Sequence, residues 1–153
     1  MRAISPVIAT VIIVSVAIAI SIAVALWLTG ITSGFTQTEN LQIVSSYASG
    51  NSTNGWNITL IVKNTGTVAA TIDNVFVNGK PYSSLGLTIY VNGTRTGGVF
   101  QKLTSTYTIN PGETITLKVE IPKNTTGFTD GQMVNVKIHT ASGRDYPATV
   151  TLP

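Results

Sequence analysis

The stretch "RAISPVIATVIIVSVAIAISIAVALWLTGI", residues 2–31, decides how the rest of the chain is read. After Arg2 no charged residue occurs until Glu39, and between residues 7 and 28 the only polar side chains are Thr10, Ser15 and Ser21. As a helix, residues 7–28 would extend about 33 Å, enough to cross a bilayer core of about 30 Å. Large and small residues alternate from Val16 to Leu26, a pattern that also suits a strand. An apolar run of this length is too long for an ordinary strand. Hydrophobicity on every side fits a helix that spans a membrane or is buried all round, and Pro6 is tolerated at its start. A secretion signal is the third reading. Arg2 would be its basic start and Ala23-Val24-Ala25 its cleavage site, but the run exceeds the usual apolar region of about 7–15 residues.

Helical winding turns the alternation into two stripes. Residues four apart lie nearly above one another, and residues two apart fall on opposite sides. Ser15, Ala19 and Ala23 form one ladder of small residues, and Ala17, Ser21 and Ala25 form the other. Such ladders let helix backbones approach closely. Two of them on opposite sides suit a helix with several neighbours; the plainer reading is that alanine is common in apolar helices.

The composition changes near residue 35. The remainder is polar and rich in threonine, with runs of alternating residues separated by turn signals such as Asn64-Thr65-Gly66, Asn78-Gly79 and Asn110-Pro111-Gly112. Strands are predicted at 41–48, 56–64, 71–78, 87–92, 99–109, 114–121, 134–140 and 148–152. Seven or eight short strands at this spacing predict an immunoglobulin-like sandwich. The fold class is therefore α+β: a hydrophobic helix over residues 4–34, then an all-β domain over 35–153. Residues 33–40, "SGFTQTEN", would be the hinge.

Composition excludes several functions. Cysteine is absent, which removes disulfides and thiolate chemistry. The single histidine, His139, makes a poor metal site alone. A net charge of +3 with scattered lysines and arginines is no nucleic-acid footprint. The six carboxylates read as isolated, with Glu113 and Glu120 at strand ends, so no catalytic constellation, metal or cofactor is predicted and the chain does not read as an enzyme. Only 10% of residues are charged, against about 25% in an ordinary soluble domain. With so few carboxylates to protonate, the fold is expected to tolerate acid.

Asn51, Asn57, Asn92 and Asn124 each begin an Asn-x-Ser/Thr sequon, a candidate N-glycosylation site in an exported protein. Chance at this composition gives about 2.6 sequons, so position is more informative than number. Asn51, Asn92 and Asn124 lie in or beside predicted turns. Asn57 would lie on the strand face opposite Trp56 and Ile58.

The opening "RAISPVIATVIIVSVAIAI" resembles the N-terminal segment of archaeal type IV pilins, relatives of the archaellins. The phrases "VKNTGTVAATIDNVFVNGK" and "INPGETITLKV" resemble the β-domains of such pilins, and recur in other surface sandwiches. The resemblance implies a short leader, residues 1–3, recognised at Arg2 and Ala3 and cut before Ile4 by a membrane-embedded prepilin peptidase. It implies a precursor held in the membrane by its helix, with Arg2 on the cytoplasmic side. The precursor would then join a homopolymeric extracellular filament through pilus assembly machinery and serve surface adhesion. Bacterial pilins carry a glutamate where this chain has Ile8, so a charge pair guiding docking is not implied. An archaellin of a motility filament and a permanently membrane-anchored surface binding module remain the alternatives.

Overall fold

The computed structural model describes residues 5–35, 37–93 and 97–153. They form two compact units, one up to Gln37 and one from Thr38 onward. The first is a single helix, α1, Pro6–Phe35. Proline suits the first helical position because its missing N–H would have no partner there. The Ser5 carbonyl accepts the Ala9 N–H at 3.1 Å, closing the first turn.

The second unit is a sandwich of two antiparallel sheets. Its strands are β1 Leu41–Asn51, β2 Gly55–Asn64, β3 Ala70–Val77, β4 Lys80–Pro81, β5 Thr88–Asn92, β6 Gln101–Lys102, β7 Tyr107–Ile109, β8 Thr114–Ile121, β9 Met133–Thr140 and β10 Asp145–Thr151. One sheet has the order β1-β2-β8-β5-β6; the other runs β10-β9-β3-β4, with β7 also pairing β3. Strict alternation builds the core. Trp56, Ile58, Leu60 and Val62 from β2 and Ile115, Leu117, Val119 and Ile121 from β8 are all buried. Ile72, Val75 and Val77 from β3 and Val134, Val136 and Ile138 from β9 are buried in the same hydrophobic core.

The structure departs from the sequence reading in several places. The run expected to be one strand, 99–109, is two. Gln101–Lys102 pairs with β5 in the first sheet, and Tyr107–Ile109 pairs with β3 in the second. The chain crosses between sheets here, as sandwich corners require. The Asn78-Gly79 turn, at φ 50° and 79°, joins β3 to the two-residue β4, too short to stand out in sequence. Glu120 lies inside β8, opposite Asn57 and Thr88, rather than at a strand end.

Part of the segment expected as a hinge belongs to the elements on either side. Helix α1 continues to Phe35, and Thr38–Asn40 are bonded into the sandwich. Thr65 and Gly66 donate to the Asn40 carbonyl at 2.8 and 3.2 Å, and Thr67 donates to Thr38 at 2.8 Å. Gly66 must be glycine, because a Cβ there would lie 2.3 Å from the Thr38 carbonyl oxygen. Behind this contact sits Asn64, fully buried. Its Nδ2 donates to the Val68 and Ile109 carbonyls, each at 2.9 Å, and its Oδ1 accepts the Gly66 N–H at 2.9 Å. Asn64→Ala strips the side-chain partner from three backbone groups at once, the buried Ile109 carbonyl among them. It should cost about 2–3 kcal/mol, read as a lower urea midpoint with unchanged slope, and Asn64→Asp should be at least as damaging.

Candidate functional site

The candidate site is α1, because its described large apolar side chains are left uncovered within their own unit. From Pro6 to Thr32 the helix is long and apolar enough to cross a membrane, and none of that span is buried. Fifteen of its large apolar side chains, from Val7 to Ile31, are 40–70% exposed. Its hydroxyls do not face outward for partners. Thr10 donates to the Val7 carbonyl at 2.9 Å, Ser21 to Ala17 at 2.7 Å, Thr29 to Ala25 at 2.8 Å and Thr32 to Leu28 at 2.8 Å. Ser15 donates likewise to Val11. Each hydroxyl is thus satisfied on its own preceding turn. The helix offers an apolar exterior, and these five hydroxyls need no water.

The two small-residue stripes lie on this surface. Ser15, Ala19 and Ala23, and on the other side Ala17, Ser21 and Ala25, are all exposed. Over Ser15 the surface dips into a groove lined by Thr10, Val11, Val14 and Ile18. A small residue ringed by larger ones is the kind of hole that receives a side chain from a facing helix. Arg2, Ala3 and Ile4 lie outside the described residues.

The four sequon asparagines occupy different settings. Asn51 ends β1 in the β1–β2 turn and is exposed. Asn124 is exposed in the turn after β8, at φ 65°. Asn92 ends β5 and is half-buried. Asn57 sits in the middle of the first sheet between Ser49 of β1 and Glu120 of β8, half-buried.

Four carboxylates that look isolated in sequence have partners; Glu113 accepts the Asn110 N–H at 2.9 Å. Asp130 accepts the Trp56 indole N–H at 3.2 Å, the Ser52 N–H at 3.1 Å and the Ser52 hydroxyl at 2.8 Å. Buried Glu39 accepts the Tyr146 hydroxyl at 3.4 Å, while its carbonyl takes an Arg144 N–H at 3.0 Å. On the outer face of the second sheet Asp145 accepts His139 Nδ1–H at 2.7 Å and Lys137 Nζ at 2.9 Å. Lys137 also lies 5.0 Å from the centre of the Phe76 ring. The β9–β10 register that places Asp145 opposite His139 makes this cluster, and register between separate strands is not written in either strand alone. Among the described residues, no group of three or more His, Cys, Asp or Glu is placed to hold a metal.

No protein-family model matches the sequence, and no curated protein matches it. Among solved structures, the chain is similar to the archaeal flagellum of Methanospirillum hungatei strain JF1. That match is 23% identical over 95% of this chain and 88% of that one, with TM-score 0.41. It is also similar to the Iho670 flagellar-like filament, at 17% identity over 97% and 98% with TM-score 0.39. A third likeness is the archaellum periplasmic stator protein FlaG from Sulfolobus acidocaldarius, at 15% identity over 73% and 99% with TM-score 0.37. These are likenesses of general arrangement, and the functional reading rests on the residues.

Asp145 carries a testable consequence. The hydrogen bond from His139, and then the one from Lys137, hold its carboxyl below the ordinary value of 3.8. A carboxylate whose folded value is depressed stabilises the fold above its unfolded value, and that contribution is lost as pH falls through the folded value. Asp145→Asn should therefore lower the melting temperature at pH 7, and the gap from the unaltered protein should close as pH drops below 3.8. A gap that stays constant across that window would contradict the assignment.

Proposed function

We propose that this chain is a structural subunit of an extracellular archaeal type IV pilus, a pilin, and not an enzyme. The observation that carries the reading is the apolar exterior of α1, on which the hydroxyls of Thr10, Ser15, Ser21, Thr29 and Thr32 are internally bonded. Such a helix is stable in two surroundings, lipid and a bundle of like helices. Both are apolar, so transfer between them turns on packing, and the small-residue stripes supply it. In the precursor the helix spans the membrane with Arg2 inside. After the leader is cut before Ile4, copies pack head-to-tail without closing, which yields an open helical filament. The sandwiches then coat the outside and meet the adhesion target.

The resemblance of "ISPVIATVI" to archaeal pilin openings supports the same reading.

Shearing cells and imaging the released material by electron microscopy tests the proposal. Filaments containing this chain are expected, and Ala19→Leu on one stripe or Ala25→Leu on the other should cut filament number at least tenfold while the chain accumulates in the membrane. Full assembly of both variants would remove the stripes from the interface. Recovery of the chain only as detergent-soluble monomers would favour the anchored binding module, and loss of swimming on deletion would favour an archaellin.

A further inference from the structure

We propose that Val99 and Phe100 form a lipid-docking tip, which rests the sandwich on the outer surface of the bilayer while α1 still spans it. The proposal rests on the preceding reading for placing α1 in lipid.

Sheet register places this tip. β5 ends at Asn92, opposite Thr116, and β6 starts at Gln101, opposite Val91. Lys63 pairs with Thr114 and Leu41 with Asn64, so the passage from β5 to β6 lies at the sheet end where the chain enters from Thr38. Gly98 donates to the Gly93 carbonyl at 3.4 Å. Gly97 and Gly98 take positive φ, 62° and 78°, and a Cβ on either would meet no atom within 4 Å. The segment thus stands clear of the sandwich, and the Val99 and Phe100 that follow are 64% and 45% exposed. Among the described residues of the sandwich, the other exposed large apolar side chains, Val44, Tyr47 and Met133, are not adjacent in the chain.

Covalent reach decides what covers the tip. α1 has 30 residues and is about 45 Å long, close to the full thickness of a bilayer with its headgroups, about 40–45 Å. It ends at Phe35, and Thr38 is already bonded to Thr67. Three residue steps extend at most about 11 Å. A helix held in lipid therefore keeps the sandwich end that carries Val99 and Phe100 near the headgroups.

Adjacent apolar side chains with basic neighbours suit the boundary between headgroups and acyl chains. Lys102 lies two residues beyond Phe100 and Lys63 at the same sheet end, both exposed, and ammonium groups there are attracted to lipid phosphates. Glu113, at that end too, is half-buried and accepts the Asn110 N–H. When α1 leaves lipid for a filament the tip leaves with it, so docking belongs to the precursor.

The full chain in phosphatidylcholine vesicles with partly brominated tails tests this. The sequence has no cysteine, so Val99→Cys, Ile18→Cys in α1 and Thr53→Cys in the turn at the other end of the sandwich can each carry one environment-sensitive fluorophore that bromine quenches. Quenching is expected at residues 99 and 18 and not at 53, and adding Phe100→Ser should at least halve it at residue 99. A label at residue 99 quenched no more than the one at 53, or indifferent to Phe100→Ser, overturns the proposal. A blue-shifted but unquenched label there also overturns it, because a second copy and not lipid then covers the tip. Quenching at residue 18 with none at 99 removes the tip and leaves the spanning helix standing. Quenching at residue 99 with none at 18 does the reverse.

Discussion

A helix that cannot remain in water governs everything else in this molecule. Fully burying a large aliphatic side chain is worth about 1.5–3 kcal/mol. With fifteen such groups 40–70% exposed on α1, covering the helix is worth well over about 10 kcal/mol. That rivals the whole stability of an ordinary domain. Propensity alone does not keep the helix formed; its environment must. The hydroxyl bonds to the preceding turn make either apolar environment acceptable, because the hydroxyls of Thr10, Ser15, Ser21, Thr29 and Thr32 are already paired when the helix leaves water. An unbonded serine at residue 15 or 21 would cost free energy in lipid and again in a helical bundle.

In the proposed filament the sandwich would meet the opposite requirement, staying folded and separate while copies crowd together. Its edges show how. β10, the edge of the second sheet, carries Pro147 in mid-strand, which cannot donate to another strand. β1, an edge of the first sheet, is irregular between Ile43 and Ser45, leaving Val44 exposed. β4 and β6 are two residues each, and β4 ends in Pro81. Bulges, prolines and very short edges all hinder strand addition between chains. Association through β-pairing is therefore discouraged where association through α1 is favoured, and the two units do not compete.

The helix was legible because its signal is compositional: charge is missing over a length no strand reaches. β2 and β8 were legible because strict alternation over eight residues fixes which face is buried. The corner at 99–109 was not. A strand that leaves one sheet for another keeps its alternation, and only the partners reveal the switch. Asn64 reads in sequence as the first residue of a turn. Nothing local says that its side chain is fully buried and bonded to Val68 and Ile109, the latter 45 positions away. The Asp145 cluster was missed for a related reason. Six residues separate Asp145 from His139, yet it is the β9–β10 register that makes them neighbours. The helix surface carrying the proposed function was thus visible in sequence, whereas the interactions that stabilise the outer domain arise from pairing.

Low charge has a consequence for the crowded array that the proposed filament would form. At physiological salt, charges interact mainly within about 8 Å, so repulsion between packed copies depends on surface charge density more than on the total. With 10% of residues charged and a net +3 per chain, neighbouring sandwiches repel one another little. Several of the carboxylates are also committed inside the domain: Glu39 to Tyr146, Asp130 to Ser52 and Trp56, Asp145 to His139 and Lys137. Lateral crowding is then limited by shape and hydration instead of Coulomb force. A surface built this way needs hydroxyls to stay soluble, and the threonine-rich sandwich supplies them.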